Sequence, residues 1–272
     1  MTTATVRAPV GQLLREWRER RRLSQLELSI QADISTRHLS FVETGRSRPT
    51  PEMIVRLTEQ LDVPLRERNQ LLLAGGYAPA YPQHDLDGPE LASVRTALAQ
   101  VLRGHEPYPA VVINRWWELV EGNSAVSVLV AGCAPHLLEP PVNVLRLSLH
   151  PQGMAPRIVN LAQWRAYLLQ RLTRECELAG DPVLTALLDE LRAYPAPSPR
   201  QPATPSSIAP ADARVFVPLE LETPAGRLSF IGTTTVFGTP VDVTVAELAL
   251  ECFFPADATT AEYLRGLAAA RS

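Results

Sequence analysis

The sequence predicts two domains of different class: an all-α N-terminal domain of five short helices, and a larger α+β domain built on a five-stranded antiparallel sheet with helices. Three observations carry this prediction. The chain has 272 residues, a length that favours about two domains. Helix starts and stops punctuate residues 1–76, whereas strand-like runs cluster near residues 110–122 and 214–253. Charge divides in the same place. Residues 1–82 hold 12 Arg against 9 acidic residues, a net of +3; the remainder holds 14 Arg against 20 acidic residues, a net of -6. A small basic part joined to a larger acidic part is expected when only one domain meets nucleic acid.

Hydrophobic residues make up 46% and charged residues 20%, values of a globular chain rather than a disordered one. The net charge of -3 excludes a uniformly basic nucleic-acid coat but leaves room for a local basic patch. No apolar run approaches the roughly 18 residues that a membrane helix needs. Met1 to Val10 lacks the apolar core of a signal peptide, so the expected compartment is the cytoplasm. All 26 basic residues are Arg and 25 residues are Pro, which reads as the codon bias of a GC-rich genome and lowers the weight of any single Arg. Cys133, Cys176 and Cys252 are widely spaced. They offer neither metal-ligand spacing nor a disulfide framework, and buried structural thiols are the expectation, with redox sensing the alternative.

In the first domain, Gln12 to Arg22 forms a helix with Leu13, Leu14 and Trp17 on one side and Arg15, Arg18, Arg20, Arg21 and Arg22 mostly on the other. Ser24-Gln-Leu-Glu27 is a capping box that opens a second helix running to Ala32. Asp33-Ile34-Ser35 is a turn, and Ser35 caps a third helix, Thr36 to Thr44, ended by Gly45. Thr50-Pro51-Glu52 opens a fourth with Pro in its first turn; Pro64 begins a fifth, closed by Gly75-Gly76. The expected core is Leu14, Leu26, Leu28, Ile34, Leu39, Val42, Ile54, Leu57, Leu61, Leu71 and Leu72. Residues 77–105 are expected to be a linker and connector helix, with Leu91, Val94, Leu98, Val101 and Leu102 on one face as a dimer contact.

Helices two and three, joined by a three-residue turn, have helix-turn-helix spacing. Leu23-Ser-Gln-Leu-Glu-Leu, Ile34-Ser-Thr-Arg-His-Leu-Ser, Val42-Glu-Thr-Gly-Arg and Pro49-Thr-Pro resemble the XRE or phage-repressor-like helix-turn-helix family over about a quarter of the chain. The resemblance implies a double-stranded DNA operator as partner and gives residues their roles. Gln25 matches a phosphate-holding position at a helix N-terminus. Thr36, Arg37 and Ser40 match the exposed face of the recognition helix. Arg37 is the strongest base reader, because a guanidinium can bond guanine O6 and N7 together. His38 touches phosphate or base, and Phe41 packs a thymine methyl or a neighbouring subunit. Arg46 and Arg48 lie on a loop that meets the DNA backbone. Arg20 to Arg22 are either a solvated face or further DNA contacts, and Glu43 is expected to bond within the domain.

The larger domain, residues 106–272, opens with Ala110 to Gly122, which reads as strand, turn, strand, followed by a helix capped at Asn123. This opening resembles that of a PAS domain. Asn143 to His150, Asn160 to Leu178 and Asp181 to Ala193 are helical by periodicity. Tyr194 to Pro210 carries six prolines and is expected to be an extended loop. Arg214 to Thr223, Arg227 to Phe237 and Val241 to Phe253 are strand-like, with helices expected on one face of the sheet, and Thr259 to Arg271 is a closing helix.

Val112-Ile-Asn-Arg-Trp-Trp, Pro140-Pro-Val-Asn-Val-Leu-Arg-Leu-Ser-Leu-His-Pro, Ala155-Pro-Arg-Ile-Val-Asn, Trp164-Arg and Leu191-Arg-Ala-Tyr-Pro195 are similar to the ligand-binding domain of MmyB-like transcriptional regulators. The resemblance implies a PAS-like sensor with an apolar cavity and fatty-acid-like ligands. Pocket candidates are Trp116, Trp117, Leu145, Leu149, Trp164, Leu168, Phe216, Phe230 and Phe237, each of which core packing would also explain. Arg146 and His150 are candidate anchors for a carboxylate head group, with a salt bridge and a buried structural His as the alternative. Arg115 and Arg157 stand likewise.

No G-x-S-x-G, C-x-x-C, H-E-x-x-H, P-loop or G-x-G-x-x-G motif occurs, and the five His are scattered, so an enzyme, a bound cofactor and a metal are not expected. The expected protein is a homodimeric repressor that binds an inverted-repeat operator under the control of a small apolar ligand. The rival reading makes the C-terminal domain a protein-interaction and dimerisation module without a ligand.

Overall fold

The computed structural model describes residues 8–195 and 216–270. They divide into two compact units: residues up to Gly88 with Glu177–Gly180 and Thr239–Ala246, and the remainder. The predicted Pro-rich loop and the first residues of the predicted strand at Arg214 lie outside the described residues.

In the first unit, among the described residues, five α-helices follow their caps: α1 (Val10–Arg20), α2 (Gln25–Gln31), α3 (Thr36–Glu43), α4 (Pro51–Gln60) and α5 (Leu65–Ala74). Ser24 and Glu27 form the reciprocal capping box, Ser35 accepts from the His38 amide, and Thr50 accepts from the Met53 amide with Pro51 in the first turn. The turn between α2 and α3 closes through Asp33 at φ 49, a left-handed position that Asp tolerates better than most side chains. Gly11 of α1 lies so close to the Val42 carbonyl of α3 that an added Cβ would sit 2.1 Å from its oxygen, so only glycine admits this helix contact.

Leu14, Leu28, Leu39, Val42, Ile54, Leu57, Leu61, Leu71 and Leu72 form the core as expected, joined by Trp17, Ala32 and Val63. Ile34 packs only partly buried against it, and Leu26 is 58% exposed. Residues beyond Gly76 dock on this unit: the Tyr77 hydroxyl donates to the Pro49 carbonyl, and Asn69 Oδ1 accepts from the Ala80 and Tyr81 amides.

One buried carboxylate ties three of these helices together. Glu43, at the end of α3, accepts from Arg18 Nε of α1 at 2.6 Å, from Arg18 Nη2 at 2.9 Å and from Gln25 Nε2 of α2 at 2.7 Å. Arg18 Nη1 also donates to the Leu23 carbonyl at 2.7 Å. Arg18 is therefore buried, not part of a solvated basic face. Arg21 is likewise committed, its Nε and Nη2 donating to the carbonyls of Leu61 and Asp62.

The second unit begins with a 3-10 turn at Pro89–Leu91 and α6 (Ala92–His105). Then come β1 (Ala110–Ile113), β2 (Leu119–Gly122), α7 (Ser127–Val130), α8 (Val144–Leu149), α9 (Leu161–Ala179) and α10 (Pro182–Ala193). After the undescribed stretch follow β3 (Leu219–Thr223), β4 (Gly226–Val236), α11 (Val243–Ala246, grouped with the first unit), β5 (Ala249–Pro255) and α12 (Ala258–Ala269). Among the described residues the strands make one antiparallel sheet in the order β2-β1-β5-β4-β3. The β3–β4 hairpin turns through Gly226 at φ 113, a conformation only glycine adopts freely.

Three differences from the sequence reading have local causes. The run from Val241 opens with the helical turn α11, where Asp242 accepts from the Thr244 and Val245 amides, and strand starts only at Ala249. Asn123 does not cap the following turn with its side chain. It instead accepts from the Ala110 amide and donates to the carbonyls of Leu102 and Tyr108, binding α6 to β1. Helices cover both faces of the sheet rather than one. Arg171 of α9 bonds Glu251, while His105 at the end of α6 packs edge-on against Phe254 at 4.7 Å. Positions 251 and 254 are three apart on one strand and so face opposite sides. Leu98 and Leu102 of α6 are buried in this packing; Val101 remains 49% exposed.

Arg18→Ala would strand the Glu43 carboxylate in the core with Gln25 as its remaining partner. The expected cost is about 3–5 kcal/mol, because one half of a buried pair is left uncompensated. Urea unfolding followed by circular dichroism measures it, and a change within about 0.5 kcal/mol, the range of ordinary surface substitutions, would show that the strut carries no load.

Candidate functional site: a basic helix face and an apolar cavity

On the first unit, α3 presents the residues predicted to meet DNA. Arg37 is exposed and its guanidinium lies 5.3 Å from the Phe41 ring centroid, one helical turn on; Arg46 approaches the same ring at 5.9 Å. Phe41 is half-buried with both guanidinium groups near its ring. Thr36 is hydroxyl-bonded to Ser29 at 2.8 Å, while Ser40 and His38 are half-buried. Two residues are engaged inside the unit. Gln25 is bonded to Glu43, and Arg48 donates through Nε and Nη2 to the Gly75 carbonyl while stacking on Tyr77 at 5.1 Å.

The second unit contains a cavity of about 230 Å³. Its floor is the sheet: Val111 of β1, Leu119 of β2, Leu219 of β3 and Glu251 and Phe253 of β5. Leu145, Leu147 and Ser148 of α8 and Trp164, Tyr167, Leu168 and Arg171 of α9 close it from above, and Trp117 stands in the wall between β1 and β2. The helical spacing 164, 168, 171 puts these α9 side chains on one stripe. Asn160 fixes where that stripe begins, donating to the Pro218 carbonyl and accepting from the Glu220 amide of β3.

Of the pocket residues predicted from sequence, Trp117, Leu145, Trp164 and Leu168 line this cavity. The others do not. Trp116 donates through Nε1 to Asp181, beside Arg115, which bridges Asp181 and Glu247. Leu149 is buried outside the lining, Phe216 is 50% exposed, and Phe237 is half-buried away from it. Phe230 is fully buried but outside the lining, edge-on to Phe253 at 6.5 Å.

The carboxylate-anchor pair is also elsewhere. Arg146 is paired with Glu190 through Nε and Nη2, and His150 packs edge-on against Tyr194 at 5.2 Å, a cluster separate from the cavity lining. A four-residue helical spacing placed Arg146 and His150 near each other but not the cavity on their side. Arg157 donates through Nη2 to the Leu129 carbonyl.

Two charged lining residues that the sequence reading missed, Arg171 and Glu251, belong to one connected cluster. Arg171 Nη2 donates to Glu251 Oε1 at 2.7 Å, Nη1 to Oε2 at 3.3 Å, and Nε to Glu175 Oε1 at 3.3 Å. Thr234 Oγ1 donates to Glu251 Oε1, and Trp117 Nε1 donates to Glu175 Oε2 at 2.7 Å. The Arg171 guanidinium also lies 4.4 Å from the Trp117 ring centroid. Trp117 itself sits at φ 63, a left-handed backbone that bulky side chains rarely adopt. Asn114 holds that turn, accepting from the amides of Trp116 and Glu118. Burial raises the Glu175 carboxyl above its ordinary range, opposed by the Trp117 and Arg171 bonds. At the other end of the α9 stripe, Trp164 Nε1 donates to the Ser148 hydroxyl at 2.9 Å.

Cys252 is buried and Cys133 and Cys176 are half-buried. Burial raises all three thiols, which disfavours the reactive thiolate. No helix among the described residues is long and apolar enough to cross a membrane.

A cap-defined helix-turn-helix and a separate cavity-bearing α+β unit define a DNA-binding transcription regulator with a ligand-binding domain. Residues 94–267 match the family model of the MmyB-like transcription regulator ligand binding domain, and residues 9–71 match a helix-turn-helix domain. The chain belongs to the MmyB-like transcription regulators. It is also similar to RghRB of Bacillus subtilis (strain 168), an uncharacterized HTH-type transcriptional regulator. The two are 32% identical over 115 residues, which cover 41% of this chain and 81% of that protein. Among solved structures, an RNA-binding light-oxygen-voltage receptor aligns at 12% identity and a TM-score of 0.23, over 96% of this chain and 63% of that one. The chain thus spans less than two thirds of that receptor.

Because the fold holds Glu175 above its ordinary carboxyl value, the folded chain binds this proton more tightly than the unfolded chain does. Stability from this group is full below the unfolded carboxyl value and falls as pH rises through the folded one. Glu175→Gln removes that fall. In thermal melts the variant is expected to exceed the parent at pH 7.5 and to lose the advantage near pH 4; a constant difference across that range would deny the raised value.

Proposed function

We propose that this chain is a cytoplasmic one-component repressor whose homodimer binds an inverted-repeat operator and whose affinity for that operator is set by a small apolar ligand in the cavity. The chain divides accordingly into a DNA-binding domain, a connector and a PAS-like ligand-binding domain. The observation that carries the sensor reading is the 230 Å³ apolar cavity inside the family's ligand-binding domain. Such a cavity costs packing energy, and a solid core would be the natural outcome for a pure docking module. The sheet order β2-β1-β5-β4-β3 supports the PAS-like reading.

For DNA, Arg37 with its neighbours Thr36, His38, Ser40 and Phe41 forms the reading face of α3. Arg46 meets phosphate. Gln25 and Arg48 stand at the edge of this surface, where each must loosen an internal bond to reach the DNA. A ligand shifts operator binding only through different affinities for the competent and incompetent dimers, a coupling of about 1–3 kcal/mol. The fatty-acid-like class implied by the sequence resemblance finds its apolar body matched by the cavity. Its carboxylate is not matched at Arg146 and His150, which lie outside the lining.

Native mass spectrometry of the purified chain before and after denaturing extraction tests the sensor reading. A dimer that releases a small apolar molecule is expected. An empty dimer whose operator affinity is indifferent to extraction would turn the domain into an interaction module. On the DNA side, Arg37→Ala is expected to cost about 1–3 kcal/mol and to relax preference at one base pair. Gel shifts over a randomised operator measure both, and an unchanged preference removes Arg37 from the reading face.

A further inference from the structure

We infer that the cavity takes a medium-length apolar molecule whose head group is a hydrogen-bond donor, a primary amine or a hydroxyl, seated against Glu251, and not a carboxylic acid. This rests on the sensor reading above and names the ligand's chemistry.

The size of the cavity limits the body. At some 230 Å³ it is smaller than most drug-sized pockets. The lining along this body is mostly leucines, valines and aromatic rings; its polar groups are Tyr167 and Ser148, the latter bonded to Trp164. From Trp164 to Arg171 the cavity follows two turns of α9, about 10 Å at 1.5 Å per residue, the span of an extended chain of comparable size.

The polar end decides the head group. Arg171 is one cation shared by two carboxylates, Glu251 and Glu175. A ligand carboxylate would have to compete for a guanidinium already bonded to both of these side chains, beside a Glu251 that is itself buried. A donor finds the opposite situation. Glu251 Oε1 already accepts from Arg171 and Thr234, but Oε2 is held only by the long 3.3 Å bond from Arg171 Nη1 and has a lone pair to offer. Glu251 lines the cavity, so an N–H or O–H at the chain end can complete its shell without breaking an ion pair.

Calorimetric titration of the full chain at pH 7.5 with octylamine, octan-1-ol and octanoate, which share one body, tests the head group. Octylamine and octanol are expected to bind at least about tenfold more tightly than octanoate, equivalent to about 1.4 kcal/mol. Glu251→Gln should shrink that gap. Glu175→Gln serves as the second variant if circular dichroism shows the first to be misfolded, and it too should narrow the gap. Octanoate binding as tightly as the amine and the alcohol overturns the head-group assignment and leaves the sensor reading intact. The same preference in the folded variants places the head group elsewhere and also overturns it. No saturable heat from any of the three overturns both readings together.

Discussion

The geometry of the DNA-binding unit hangs on the buried Glu43 carboxylate. It closes α3, and its two oxygens are shared by donors from α1 and α2, so three short helices acquire fixed relative positions from one side chain. Helices this short gain little from propensity and depend on tertiary fixing. The close approach at Gly11 does the rest, bringing the α1 backbone onto the Val42 carbonyl. The exposed side of α3, with Arg37 and Arg46 near the Phe41 ring, inherits its placement from that hidden pairing.

The second unit solves a different problem, keeping space open inside a core. Residues of one sheet face and one α9 stripe point into the same volume without filling it. The indoles of Trp117 and Trp164, with their N–H groups satisfied by Glu175 and Ser148, act as stiff wall panels that cannot collapse inward without losing those bonds. Asn160 and Asn123 serve the same end by fixing the helix starts and the α6–β1 approach through backbone groups.

Much of this fold was legible in the sequence because it is written in local signals. Ser24, Ser35, Thr50, Asn143 and Asp181 all cap helices through bonds within three residues of chain. What escaped was non-local or sterically ambiguous. Arg18 reads as one more charge on a basic helix face, and only Glu43, twenty-five residues on, makes it a buried strut. Leu26 reads as core by its type, yet on α2 it is Leu28 and Ser29 that are buried and Leu26 that faces out. In the cavity, Trp117, Leu145, Trp164 and Leu168 follow from apolar periodicity, whereas Trp116 could not be told from Trp117 until the turn set their directions. The Arg171 cluster did leave a trace: 164, 168, 171 and 175 form a single helical stripe, apolar at first and then charged. Its partner Glu251 is eighty residues away in a strand.

Two requirements oppose each other at Trp117. Its left-handed backbone is one that glycine would occupy at ease, so retaining an indole there forgoes of order 1 kcal/mol of backbone energy. The substitution that would most relax the turn is thus the one that removes a wall panel. Selection for a sturdier protein and selection for a shaped interior pull in opposite directions at this residue. Thermostabilised variants of this domain, if chosen by stability alone, would drift towards a filled or wall-less pocket.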